Sequence, residues 1–323
     1  MNILISSAGR RVSLVRAFMN EMKALGGAVI ATDMNPKFSS ACQVADRSFE
    51  VPRVTSDKFV ASLLKICKDN NVSIVIPTID TELNILADNR ERFKAIGVDV
   101  IVSSVDIIRQ CRDKRKTHQL FSHLGISFAK EFAHDVPEFP LFIKPIDGSC
   151  SKDLYFIEKP NDLTQSLIEN EKLMFLEYID PKRYKEFTLD LYFTKDSHLK
   201  CVVPRERIEV RSGEINKGVT RRNFLVDYVK ERMSLVPGMI GCITLQLFYN
   251  EKNNDVVGIE INPRFGGGYP LSYAAGANYP KWIIDEYLNG KSLSSPYYDE
   301  WEDNLLMLRY DDEILVKDGG LGF

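Results

Sequence analysis

Gln246, Glu260 and Asn262 are the residues whose types and spacing point most directly to chemistry. Val256–Asn262 alternates, so a strand there turns Glu260 and Asn262 to one face and Ile259 and Ile261 to the other. The preceding strand, Ile243–Asn250, places Thr244, Gln246 and Phe248 on one face, and the polar turn Glu251–Asp255 joins the two. A hairpin roughly symmetric about Asn253 sets Gln246 opposite Glu260, with Cβ atoms ~5 Å apart. Three oxygen donors with a single carboxylate suit Mg²⁺, which keeps waters and completes its shell with nucleotide phosphates. Arg264, two residues past Asn262, falls beside the same cluster, where it could neutralise a transferring phosphoryl group or grip an anionic substrate. The competing reading is an exposed polar face on an edge hairpin.

Two lysines stand where a nucleotide site needs cations. Lys144 ends the strand Leu141–Ile143 and precedes the small-residue loop Asp147-Gly148-Ser149-Cys150-Ser151-Lys152, whose amides could add donors to phosphates. Lys114 follows Asp113 at the head of a helix. Glu177 and Glu186 flank a Tyr-Ile-Asp-Pro turn. Tyr178 and Ile179 offer apolar surface to an adenine, and a nearby carboxylate suits ribose hydroxyls. Arg10 and Arg11 either hold an anionic substrate or form a solvated helix start, and Arg205, Arg207, Asp80 and Glu82 are further candidates for substrate contact.

The first hundred positions alternate short apolar runs with helical patterns. Strands at Asn2–Ser6, Val29–Thr32, Phe49–Val51, Ser73–Pro77 and Asp99–Val102 are separated by single helices, including one predicted over Glu82–Phe93. That pattern predicts a parallel, doubly wound sheet with ligand-facing loops at Ser6–Arg11, Asp33–Pro36 and Pro77–Glu82. The single glycine in Ser7-Ala8-Gly9-Arg10-Arg11 excludes a dinucleotide fingerprint, which makes an NAD-dependent oxidoreductase remote. After about residue 109, two helical stretches lead into β-rich segments of α+β type.

The order Asp113-Lys114, Phe142-Ile143-Lys144-Pro145, a small-residue loop, Leu176-Glu177-Tyr178-Ile179, Glu186-Phe187-Thr188, Gln246-Leu247-Phe248 and Glu260-Ile261-Asn262-Pro263-Arg264 resembles the ATP-grasp superfamily. Within it the chain is most similar to short proteins resembling one synthetase unit of the carbamoyl-phosphate synthase large subunit. The likeness covers nearly the whole chain. It implies a parallel-sheet pre-ATP-grasp domain over 1–109, an ATP-grasp lid over 110–180, a base over 181–290 and a tail over 291–323. It also implies that Lys114 and Lys144 contact ATP phosphates, with Ser149 and Ser151 in the phosphate loop. Glu177, Tyr178 and Ile179 would bind the adenosine, and Glu186 the ribose. Gln246, Glu260 and Asn262 would hold Mg²⁺, with Mn²⁺ as the alternate ion, and Arg264 would steady the acyl phosphate. Arg211 falls at a nucleotide-side contact, and Lys217 is grouped with Arg264 on the catalytic side. The phosphate loop departs from the family pattern, having only Gly148, with Cys150 and Asp153 where glycine is expected.

The expected function is therefore an ATP- and Mg²⁺-dependent carboxylate–amine ligase acting on small molecules. Phosphorylation of bicarbonate or carbamate is the runner-up, and a nucleotide-binding module without turnover is a third reading that the intact set of Lys144, Glu260, Asn262 and Arg264 opposes. The net charge of −3 gives no bulk reason to expect nucleic acid. No apolar run approaches the ~20 residues of a membrane span. Six scattered cysteines without a C-x-x-C pair fit reduced thiols in a cytoplasmic protein, and the four histidines lack metal-ligand spacing. A homodimer is left open.

Overall fold

The structure is a computed structural model that describes residues 1–147, 153–211, 213–293 and 295–316. Asn2–Ile5 (β1), Val29–Asp33 (β2), Arg47–Glu50 (β3), Val72–Ile76 (β4) and Asp99–Val100 (β5) form a parallel sheet in the order β3-β2-β1-β4-β5. Helices on both faces bury it. Ile3 and Ile5 pack with Leu14, Val15 and Phe18 of Val12–Lys23 (α1), after which comes the short Ser40–Val44 (α2). Leu4 packs with Phe59 and Leu63 of Phe59–Asp69 (α3) and with Leu83 and Leu86 of Asp80–Asp88 (α4). The single helix expected over 82–93 is instead broken before Arg90–Lys94 (α5). Asn89 lies between, its side-chain amide donating to the Ile85 carbonyl at 2.8 Å, a local bond that competes with helix continuation. Strand order reverses between β1 and β4, so the loops after these two strands lie side by side at the switch point, where ligands of such sheets bind.

Val105–Arg112 (α6) and Lys114–Leu124 (α7) leave this domain. Next comes a four-stranded antiparallel sheet of Glu131–Phe132 (β6), Leu141–Pro145 (β7), Tyr155–Ile157 (β8) and Leu173–Glu177 (β9), in the order β6-β9-β7-β8, with Gln165–Ile168 (α8) before its last strand. It has its own small core of Leu141, Ile143 and Phe175. The last part is a six-stranded antiparallel sheet. Lys185–Phe193 (β10), Leu199–Arg211 (β11), Glu214–Thr220 (β12), Gly241–Asn250 (β13), Asp255–Asn262 (β14) and Leu306–Leu308 (β15) run in the order β14-β13-β10-β11-β12-β15. Phe224–Met233 (α9), Tyr269–Ala274 (α10) and Tyr279–Tyr287 (α11) accompany it. β12, α9 and β15 were not expected from sequence. β15 pairs with Lys217–Val219, so part of the segment read as a tail belongs to the base sheet.

The first domain is fastened to this base by aromatic packing. Phe18 of α1 meets Phe265 edge to face at 5.9 Å, and Phe265 meets Tyr269 at 4.8 Å. These residues share one buried cluster with Tyr279, Trp282 and Ile283 of α11. The contact sets α1 against the segment that follows β14. Among the described residues, no helix is long and apolar enough to cross a membrane.

Candidate active site

The β13–β14 hairpin closes with Asn250 opposite Asp255, a register that, carried on unbroken, would set Gln246 opposite Ile259. A register shift between Gln246 and Leu247 changes the pairing by one residue, so that Gln246 faces Glu260 and Thr244 faces Asn262. Because a one-residue slip turns every side chain to the other face, this irregularity is what brings the three oxygen donors together. Asn262 Nδ2 donates to Glu260 Oε1 at 2.7 Å. On neighbouring strands Thr188 pairs with Gln246, and Arg207 Nη1 donates to Glu186 Oε1 at 2.7 Å and to Gln246 Oε1 at 3.2 Å. Desolvation raises the Glu186 pKa, Arg207 opposes the rise, and Glu260 adds to it, so the two carboxylates share one electrostatic neighbourhood.

The lysines reach this face from two elements, Lys114 from the head of α7 and Lys144 from the end of β7 in the smaller sheet. Asp113 caps α7 by accepting from the Arg115 and Lys116 amides at 2.9 and 3.2 Å, which fixes Lys114 at the first turn. The Lys114 amide donates to the Ile146 carbonyl at 3.0 Å, tying that turn to the end of β7, where Lys144 is buried. Burial pushes the Lys144 ammonium down to about 8; Glu260 pulls it up and Lys114 pushes it down. Burial also lowers the Lys114 pKa, again with Glu260 opposing. Both ammonium groups therefore act on the same carboxylate of the base hairpin. His118, read from sequence as structural or solvated, is buried and stacked on Phe128 with ring centroids 4.6 Å apart. Burial, and then Lys144, push its pKa down to about 4, so it is a neutral wall residue near neutral pH.

Arg264 is held at the end of β14, where its amide donates to the Asn262 carbonyl at 2.8 Å and its carbonyl accepts from Thr244 Oγ1 at 2.9 Å. Its guanidinium forks onto Asp80 at the start of α4, Nε to Oδ1 at 3.0 Å and Nη2 to Oδ2 at 2.9 Å. A small cavity lies between the first domain and the hairpin, lined among others by Asp80, Lys114, Glu260 and Asn262.

Glu177 is exposed at the end of β9 and accepts from the Lys130 amide at 3.3 Å. Tyr178 and Ile179 follow it half-buried, with the Tyr178 ring 4.5 Å from that of Phe156. Arg211 and Lys217 are exposed on the β11–β12 hairpin and pair with Asp311 and Glu209, so nothing draws them into the cluster. Ser149 and Ser151 lie outside the described residues.

Three candidates for substrate contact take different roles. Glu82 is fully buried, accepting from Ser6 Oγ at 2.6 Å, Ser7 Oγ at 2.8 Å and the Thr78 amide at 2.7 Å, and so clamps the loops after β1 and β4 together. Arg205 is buried in a two-bond fork on Asp190, which also accepts from Ser272 Oγ. Arg207 is engaged by Glu186 and Gln246, as above. Sequence reading missed the run Gly266–Gly268 after Arg264. A Cβ at Gly268 would lie 2.1 Å from Arg205 Nη1, and one at Gly267 2.9 Å from the Glu214 carboxylate carbon. Three adjacent glycines directly after Asn-Pro-Arg were the available signal.

The donor set fits a hard divalent cation. Gln246, Glu260 and Asn262 supply oxygen from one face, and among the described residues no group of three or more His, Cys, Asp or Glu is placed to enclose a metal. An ion here must take much of its shell from phosphates and water, as Mg²⁺ does.

A family model for the N-terminal domain of PylC-like proteins matches residues 3–101, and one described as ATP-grasp in the biosynthetic pathway with Ter operon matches residues 169–308. Biotin carboxylase from Campylobacter jejuni superposes with a TM-score of 0.72 at 15% identity, over 94% of this chain and 74% of that one. N5-carboxyaminoimidazole synthetase from Staphylococcus aureus, complexed with ADP, gives 0.68 at 17% identity over 95% and 79%. An L-amino acid ligase from Bacillus licheniformis gives 0.65 at 16% over 89% and 74%. At these identities the likeness is one of fold. No curated protein matches the sequence.

Proposed function

We propose that this chain, which belongs to the ATP-grasp superfamily, is an ATP- and Mg²⁺-dependent ligase that phosphorylates a carboxylate and joins the acyl group to an amine. One observation carries the reading: Lys114 at the head of α7 and the buried Lys144 at the end of β7 both act on the Glu260 carboxylate of the base hairpin, beside a cavity lined by Lys114, Glu260 and Asn262. The solved structures of this fold that hold ADP or MgADP support the nucleotide and the metal.

In this reading a carboxylate oxygen of the substrate attacks the γ-phosphorus of ATP, and the bond to the β–γ bridging oxygen breaks to release ADP. The amine then attacks the acyl carbon, the bond from that carbon to the phosphoryl oxygen breaks, and inorganic phosphate and the amine's proton leave. Lys114 and Lys144 neutralise the phosphates, Glu177 to Ile179 seat the adenosine, and Glu186 meets the ribose once Arg207 releases it. Gln246, Glu260 and Asn262 would hold Mg²⁺, or Mn²⁺ in its place, which when bound lowers the charge on the phosphates. Arg264 steadies negative charge on the transferring group. A phosphate-release screen over panels of carboxylates and amines, with products identified by mass, tests the reading. Phosphate release that depends on both substrates supports it, and release that ignores every carboxylate counts against it.

Lys144 gives this a pH signature. Its folded pKa of about 8 lies below the unfolded 10.5, so between these values the unfolded chain holds more protons and stability rises with pH; below about 8 the penalty of burying the ammonium is present in full. Phosphates bound beside Lys144 restore its charge. MgATP binding at about pH 8.5 is thus expected to take up protons, and at about pH 6.5 to take up none through this group. Calorimetry in buffers of different ionisation enthalpy measures the uptake, which Lys144→Met should remove. Binding without uptake at the higher pH would place Lys144 away from the phosphates.

A further inference from the structure

Arg11 stands where the first domain meets the base, at the head of α1 after a turn in which Ser7 and Gly9 both take positive φ. Its guanidinium is half-buried, donates Nη2 to the Thr78 carbonyl at 3.2 Å, and among the described residues has no carboxylate in contact. The acids nearby are already spent. Asp80 is taken by the Arg264 fork, and Glu214 accepts from Arg309 Nη1 at 2.8 Å. Arg309, one residue past β15, also donates to the Gly267 carbonyl at 2.5 Å, so the carboxy-terminal strand walls this corner. Three arginines face two carboxylates, and the charge left over is that of Arg11. Burial, followed by Arg264, pushes its pKa down to about 10, against the pull of Glu214 and Asp80. A desolvated cation with one neutral acceptor costs the fold stability that a bound anion would return.

We infer that Arg11 is a specificity residue that grips an anionic group of the substrate at the junction of the first domain and the base, while Asp80 holds Arg264 as a neutral pair. The inference rests on the ligase reading for the identity of the anion as substrate. The planar fork of arginine suits a carboxylate or a phosphate monoester.

Acetate and methyl phosphate, at ionic strength matched with sodium chloride, serve as probes. Midpoint shifts are titrated for wild type, Arg11→Gln and Arg11→Lys, and MgATP binding is recorded on the same samples. Wild type is expected to respond saturably to at least one anion, and the stronger response says which chemistry is read. Arg11→Gln should bind that anion about 10- to 100-fold more weakly, the loss expected for a charge-assisted hydrogen bond. Arg11→Lys should fall between, since it keeps the charge without the fork. MgATP binding should be equal in all three. The anion-free midpoint of Arg11→Gln should be at or above wild type, because the cost of burying the guanidinium charge is removed, whereas a merely structural arginine would lower it. If wild type and Arg11→Gln respond alike to both anions, or neither responds, the inference is overturned even where MgATP binds. Absence of MgATP binding to wild type would instead sink the ligase reading, and the anion comparison would still decide Arg11.

Discussion

Glu260→Gln is expected to abolish the Mg²⁺-dependent part of nucleotide binding and to weaken MgATP by about 10²-fold or more. Even the outer partners of metal ligands are worth 10- to 100-fold, and Glu260 is the carboxylate of the hairpin's donor set. The substitution keeps shape and leaves an amide oxygen for Asn262 Nδ2, so the fold should survive. It also removes the charge that pulls both lysine pKa values up, and Lys144 should titrate below its present value of about 8. Calorimetry with ATP, with and without Mg²⁺, separates the two effects. Wild type should show a large metal-dependent gain and the variant almost none. Equal gains would remove Glu260 from the metal site.

Arg264→Ala should cut turnover by roughly 10²–10³ while leaving MgATP binding nearly intact, the loss typical of removing one charge-stabilising donor. The fork on Asp80 complicates the single variant, because both side chains are mostly buried, with 15% and 16% of their surface exposed. Breaking such a pair leaves an unbalanced carboxylate and costs stability of up to a few kcal/mol. Asp80→Asn combined with Arg264→Ala should recover much of that stability and none of the turnover. If the double variant recovers turnover as well, the single variant's loss came from the stranded Asp80 and Arg264 has no part in the chemistry.

The arrangement of the site was legible in sequence to the extent that it rests on local periodicity. Alternation along 256–262 put Glu260 and Asn262 on one face, and the distance to Gln246 suggested the pairing. The register shift that makes this pairing possible leaves no mark in a pattern of alternation, so symmetry gave the correct partner without its cause. Lys144 and Lys114 were legible as a strand end and a helix head, but their convergence on Glu260 depends on how α7 and the smaller sheet are set against the base hairpin. Charged residues whose role depends on their partners in the fold were the least legible. Asp80, Glu82, Arg205 and Arg207 look alike in sequence, and only burial and partners separate a clamp such as Glu82 from the free charge of Arg11. Likewise β15 is a three-residue strand in a polar stretch, defined by the edge it joins rather than by its own composition.

Transfer of oxygen from substrate to phosphate tests whether the carboxylate is phosphorylated. With a carboxylate substrate identified by the screen and labelled with ¹⁸O in its carboxyl group, the ligase reading predicts that one labelled oxygen leaves in the inorganic phosphate, because the carboxylate oxygen that attacks ATP departs with the phosphoryl group. Label retained wholly in the organic product, with none in the phosphate, would show that the carboxylate was never phosphorylated and would contradict the account.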